Sequence, residues 1–147
     1  MKFKHVVIVR QKLPADCAIA CIAMATGLPY WKVFQAAPMG EDELAYGLTL
    51  QQVVTTMRRL GKRTKWHWPE KFSPNKTGVF LRDKVRGKNA IHLVPSISKR
   101  EAGCFHYVLV SNGIVYDPAP RKKRRYRKYN ELKPLGIVYQ PQDEARI

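Results

Sequence analysis

An α+β domain, with N-terminal helices packed on a mostly antiparallel sheet, is what the sequence predicts. Three observations carry that expectation. Residues 16–61 show helical punctuation and a 3.6-residue apolar period. The second half shifts to short β-branched runs such as Ala90-Ile91-His92-Leu93-Val94. Ser111-Asn112-Gly113 then joins two such runs with the residues a tight hairpin needs. Helices first and antiparallel strands second give α+β rather than alternating α/β order.

Taken in order, Met1 to Arg10 has a basic start around the four-residue apolar run Val6-Val7-Ile8-Val9, which reads as a first strand. A secretory signal needs a longer apolar core, so residence in the cytoplasm is expected. Gln11 to Ala15 reads as a loop. Asp16 is the expected N-cap of an Ala-rich helix from Cys17 to Thr26, which Gly27 stops. That helix is apolar on nearly every side and should be buried. Pro29 suits the first turn of a second helix, with Trp31, Val33 and Phe34 facing inward. Residues 40–47 read as a loop containing Glu41, Asp42 and Glu43. Thr49 should cap an amphipathic helix whose stripe is Leu50, Val53, Val54, Met57 and Leu60, with Gly61 at its end. Strands are expected at 90–94, 106–110, 113–117 and 136–139. With no repeat and no linker, residues 1–147 form one domain large enough for its own core. No apolar run is long enough to cross a bilayer.

Three cysteines, at 17, 21 and 104, make no disulfide framework, so reduced thiols are expected. The formal charge of +16 implies attraction to something acidic: a nucleic acid, an anionic surface or an acidic protein. Part of it is concentrated in Arg121, Lys122, Lys123, Arg124 and Arg125, with Arg127 and Lys128 beyond Tyr126.

Cys17 stands first after the expected cap, and a helix N-terminus favours the thiolate form of a cysteine. A thiol hydrolase also needs an imidazole, a group to orient it and donors for the oxyanion. Of four histidines, His5 precedes the first strand, His67 is expected in a loop between two tryptophans, and His92 sits on a strand. His106 begins the strand that runs through the Asn112-Gly113 turn toward Asp117. Counting across that turn sets 106 and 117 nearly opposite, close enough for Asp117 to hold one ring nitrogen and leave the other free. Gln11 and the Cys17 amide can supply the oxyanion donors. These residue types at these positions point to Cys17 as nucleophile, His106 as base, Asp117 as its orienter and Gln11 as oxyanion donor. No metal or organic cofactor is required.

Gln11, with Asp16-Cys17-Ala18-Ile19-Ala20-Cys21-Ile22-Ala23-Met24, resembles the cysteine box of the double-glycine leader peptidases, the papain-like domains that process bacteriocin precursors. Phe105-His106-Tyr107-Val108-Leu109-Val110 resembles their histidine box and Val115-Tyr116-Asp117-Pro118 their aspartate box. Tyr129-Asn130-Glu131-Leu132 with Leu135-Gly136-Ile137-Val138 resembles their closing helical turn and strand. The similarity runs from Gln11 to about Tyr139, and it implies a papain-like fold, cysteine peptidase activity and the same four site residues. Ala18 stands where that family has a glycine.

Two other readings belong beside this one. Cys17-x3-Cys21 with Cys104-x-His106 offers four zinc ligands, although a helix is a poor setting for the first pair. The basic stretch also has three uses: a solvated surface, a nucleic-acid contact helped by Tyr126, Tyr129 and Trp66-His67-Trp68, or a rim selecting acidic peptide substrates. A basic nucleic-acid- or protein-binding module on the same fold, with weak or no turnover, is therefore the alternative to a peptidase.

Overall fold

The computed structural model describes residues 6–67, 87–95, 105–120 and 126–141. Four helices precede most of the sheet: α1 (Cys17–Thr26), α2 (Tyr30–Ala36), α3 (Glu41–Tyr46) and α4 (Leu50–Arg59). Strands β1 (Lys65–His67), β2 (Asn89–Pro95), β3 (Phe105–Ser111), β4 (Ile114–Tyr116) and β5 (Gly136–Tyr139) form one sheet ordered β1-β5-β2-β3-β4. Every described pairing is antiparallel, so the chain is α+β.

Helix α1 is the hub of the core. Cys17 through Ala25 are all buried, and the helix packs against β3, β2, α2 and α4. Its end follows from Gly27, which adopts φ 73° and donates its N–H to the Ala23 carbonyl, a left-handed cap that suits glycine. Ile19 and Ile22 are fully buried, and each contributes about 1.5–3 kcal/mol of apolar transfer free energy. Ile91, Leu93, Tyr107, Leu109 and Val138 carry the sheet's side of this cluster.

The opposite face of the sheet is covered as well. Val94, Val108 and Val110 pack with Tyr126 and Leu132, beside a 3-10 turn at Tyr129–Glu131. Two buried faces explain why β2 and β3 read as continuous apolar runs instead of alternating ones. His92 lies fully buried on β2 because both ring nitrogens are satisfied: Nδ1 by the Ala90 carbonyl at 3.0 Å and Nε2 by the Tyr129 hydroxyl at 3.1 Å. Burial pushes its pKa down to about 4, against the opposing effect of the Ala90 bond, which keeps the ring neutral.

Several expectations need correction. Val6 to Arg10 form no strand, and Val7 and Ile8 are exposed; residues 1–5 lie outside the described set. Residues 41–46 are helical, not a loop, with Glu41, Asp42 and Glu43 in the first turn, where the helix dipole favours acids. Trp31 faces solvent while Val33 takes the inward position of α2. His67 belongs to strand β1, paired with Ile137.

Helix α4 starts as expected. Thr49 Oγ1 accepts the Gln52 N–H at 3.1 Å, and Gln52 Oε1 accepts the Thr49 N–H at 2.8 Å, a complete capping box. Gln52 Nε2 also donates to Glu43, tying α3 to α4. Between these helices Gly47 has φ 86°, and a Cβ there would sit 3.0 Å from the Ala15 carbonyl oxygen. Backbone strain and that clash act together at Gly47. Gly47→Ala is expected to lose about 1–3 kcal/mol of stability in urea denaturation; a loss below about 0.5 kcal/mol would show that the loop adapts freely.

Candidate active site

The local structure around Cys17 begins with a loop tied to itself. Asp16, 1% exposed, takes the N-cap position of α1 as expected, but its side chain makes no cap hydrogen bond. Its carboxylate instead accepts the N–H groups of Lys12 at 2.9 Å and Leu13 at 3.0 Å, and the hydroxyl of Tyr30. Burial, joined by the Asp16 carboxylate, pushes the Tyr30 phenol up. This arrangement folds residues 12–16 into a tight turn. It also leaves the first-turn N–H groups of α1 without a side-chain cap, at the helix end that carries positive potential. Cys17 is the first residue of that turn and is buried.

His106 is the second residue of β3, and Asp117 follows the last residue of β4. The hairpin register pairs Ser111 with Ile114, Val110 with Val115 and Leu109 with Tyr116. The intervening Asn112 and Gly113 have φ 50° and 77°, as a two-residue type I′ turn requires. Continued past Tyr116, this register sets Asp117 across from Val108, so His106 and Asp117 are diagonal neighbours rather than opposite ones. A diagonal pair is still within reach of long side chains. His106 Nε2 lies 2.6 Å from Asp117 Oδ1.

Asp117 is held from all sides. Oδ1 also accepts the Ala119 N–H at 3.0 Å, and Oδ2 accepts the Tyr126 N–H at 2.9 Å. Burial raises its pKa, but the His106 bond and charge and the two backbone N–H groups outweigh that and hold it below the usual carboxylate value. For His106, burial is the largest single influence and lowers the pKa. The hydrogen bond to Asp117 and the interaction with Cys17 together overcome it, so the imidazole is raised to about 10.

With Nε2 engaged by Asp117, Nδ1 is the nitrogen left for Cys17. Helix α1 therefore brings a thiol, and the β3–β4 hairpin an imidazole and a carboxylate, to one place. Its raised pKa makes the imidazole a stronger base than an ordinary histidine beside the thiol. Such a set can take up and deliver a proton next to a sulfur nucleophile.

Gln11 is placed beside this group by a second set of bonds. Its backbone N–H donates to the Pro118 carbonyl at 2.9 Å, and Arg10 Nη1 donates to the Asp117 carbonyl at 2.8 Å. The segment before α1 is thus laced to the segment that carries the carboxylate. Gln11 Nε2 donates to the carbonyls of Leu13 at 3.0 Å and Pro14 at 3.2 Å, while Oε1 is buried without a partner among the described residues. Serving an oxyanion would take one of those N–H groups off a loop carbonyl.

Sequence reasoning missed Arg10, the role of Asp16 and the Tyr126 N–H. Arg10 and Asp117 are 107 residues apart, and nothing in local pattern announces such a bond.

Cys21, one turn beyond Cys17, is fully buried, and burial with the nearby Cys17 and Asp117 charges pushes its thiol up. Both cysteines are free. Cys104 and residues 121–125, which include Arg121, Lys122, Lys123, Arg124 and Arg125, lie outside the described residues. Among the described residues no group of three His, Cys, Asp or Glu could hold a metal ion, and no single helix is long and apolar enough to cross a membrane. No protein-family model matches the chain, and no curated protein shows significant similarity to it.

Proposed function

We propose that this chain is a papain-like cysteine peptidase that hydrolyses a peptide bond through Cys17, His106 and Asp117. The observation that carries the reading is the 2.6 Å contact from His106 Nε2 to the buried Asp117 carboxylate, with Cys17 interacting with the same ring. The sequence resemblance to the double-glycine leader peptidases supports it independently, because its boxes name the same residues.

In the proposed reaction, Cys17 Sγ, its proton taken by His106, attacks the scissile carbonyl carbon. The oxyanion that forms is met by the Cys17 backbone N–H at the uncapped start of α1, and by Gln11 once one of its N–H groups turns from the loop. The His106 imidazolium then protonates the departing amine as the C–N bond breaks, leaving a thioester on Cys17. Water, deprotonated by His106, attacks the thioester and releases the acid. Asp117 keeps the ring oriented throughout and stabilises its charged form. The free thiols suit a reducing compartment such as the cytoplasm. The net charge of +16 favours an acidic peptide as substrate, which a rise in KM with salt would report.

The testing experiment is limited iodoacetamide labelling from pH 5 to 9, mapped by mass spectrometry. Cys17 is expected to react at least about tenfold faster than Cys21 below pH 7. Cys21→Ala should leave that rate unchanged. Equal, slow labelling of both thiols would overturn the reading.

A further inference from the structure

Residues 58–65, at the end of α4 and the start of β1, carry Arg58, Arg59, Lys62, Arg63 and Lys65, and no acidic residue occurs from 58 to 67. Arg58, Gly61, Lys62, Arg63 and Thr64 line an open notch of about 450 Å³. The Thr64 hydroxyl oxygen is buried and finds no partner among the described residues. Beside the notch Trp66 is 53% exposed, with the Arg58 guanidinium 5.5 Å from its ring centre.

Basic residues in a last helical turn ordinarily answer the helix dipole, and that accounts for Arg58 and Arg59. It does not account for Lys62, Arg63 and Lys65, which lie past the helix. Three of the last four carbonyls of α4, which would otherwise repel an anion, are already engaged. Thr56, Met57 and Arg58 accept N–H groups from Leu60, Gly61 and Lys62. What remains is a recess walled by cations, with a half-exposed indole beside it. A carboxylate-rich peptide would use the cations but has no need of the indole. A nucleotide uses both, its phosphate meeting the cations and its base stacking on the ring.

We propose that this notch and Trp66 bind single-stranded nucleic acid, one phosphate seated between Arg58 and Lys62 and an adjacent base stacked on Trp66. Strand β1 is one edge of the sheet and β4 the other, so this surface lies about 14 Å of sheet away from the β3 strand that bears His106. Binding there leaves the cysteine site open.

The test is fluorescence anisotropy with a labelled oligothymidylate of about 12 nucleotides, titrated at several salt concentrations. Trp66→Ala should weaken binding about tenfold. Arg58→Gln with Lys62→Gln should weaken it and lower the slope of log K against log salt by about 0.7, one phosphate contact's worth for a single strand. Lys32→Gln with Lys133→Gln removes the same charge elsewhere and should leave that slope within about 0.3. Circular dichroism verifies that each variant is folded. The proposal is overturned if wild type does not bind, if both double variants lose equally, or if Trp66→Ala binds as wild type. Equal displacement of the oligonucleotide by polyglutamate or by millimolar inorganic phosphate would also overturn it, in favour of an acidic protein or a small anion.

Discussion

Cys17→Ala is expected to remove peptide turnover, a fall of about four to six powers of ten in kcat, while the thermal transition stays near that of wild type. The sulfur is the only atom that can form the thioester. Loss of one sulfur atom removes little volume from the packed core. His106→Ala should fall almost as far, and the double variant no further, because the two groups act in the same steps. The pH profile gives an independent reading. The imidazolium must give its proton to the leaving amine, and His106 is raised to about 10 by Asp117 and Cys17. Turnover should therefore persist through pH 9 and fall as pH passes about 10, when the free enzyme loses that proton. A limb falling near pH 6.5, the ordinary imidazole value, would mean that Asp117 does not hold the ring charged at work. Turnover in Cys17→Ala above about one percent of wild type would remove the cysteine from the mechanism altogether.

Much of the fold that positions these groups was legible in the chain, wherever a local signal had a local cause. Gly27 stops α1 because the left-handed cap is open to glycine, and Thr49 with Gln52 starts α4 because their side chains answer each other across one turn. Asn112-Gly113 fixes the hairpin, and the hairpin brings His106 to Asp117. The misreadings have a different character. Residues 40–47 read as a loop, yet Glu41, Asp42 and Glu43 stand at the start of a short helix, where acidic residues are favoured. Val6 to Val9 has the composition of a strand but gains no partner strand, and composition alone cannot supply one. Strand β1 is three residues long, with a charged residue first, and exists because β5 offers it an edge. Asp16 does stand at the N-cap position, but Tyr30 and the Lys12 and Leu13 amides take the carboxylate that would otherwise cap the helix. The helix at 41–46 apart, these outcomes were decided by residues far away in sequence or by competition between two plausible partners.

The largest stability effect should come from Asp117. Asp117→Ala is expected to lose about 3–5 kcal/mol, because a buried ion pair broken on one side leaves an imidazolium and two backbone donors without their acceptor. Asp117→Asn is gentler in shape but has one oxygen in place of two. If that oxygen serves His106 and Ala119, the amide nitrogen faces the Tyr126 N–H, two donors meeting at about 1–3 kcal/mol. The wild-type pair also dictates a pH window. The Asp117 pKa is lower in the folded chain than its ordinary 3.8, so its stabilisation is present above pH 4 and is lost as pH falls through the folded value. His106 has the opposite sign: raised from 6.5 to about 10, it stabilises fully below pH 6.5 and loses that contribution as pH climbs toward 10. One ion pair underlies both slopes and counts once. Urea denaturation of wild type should therefore show a plateau between about pH 4 and 6.5, declining on either side, and Asp117→Ala should flatten both slopes. A variant within about 1 kcal/mol of wild type, with the slopes intact, would place the pH dependence elsewhere and reduce Asp117 to a strand-end residue.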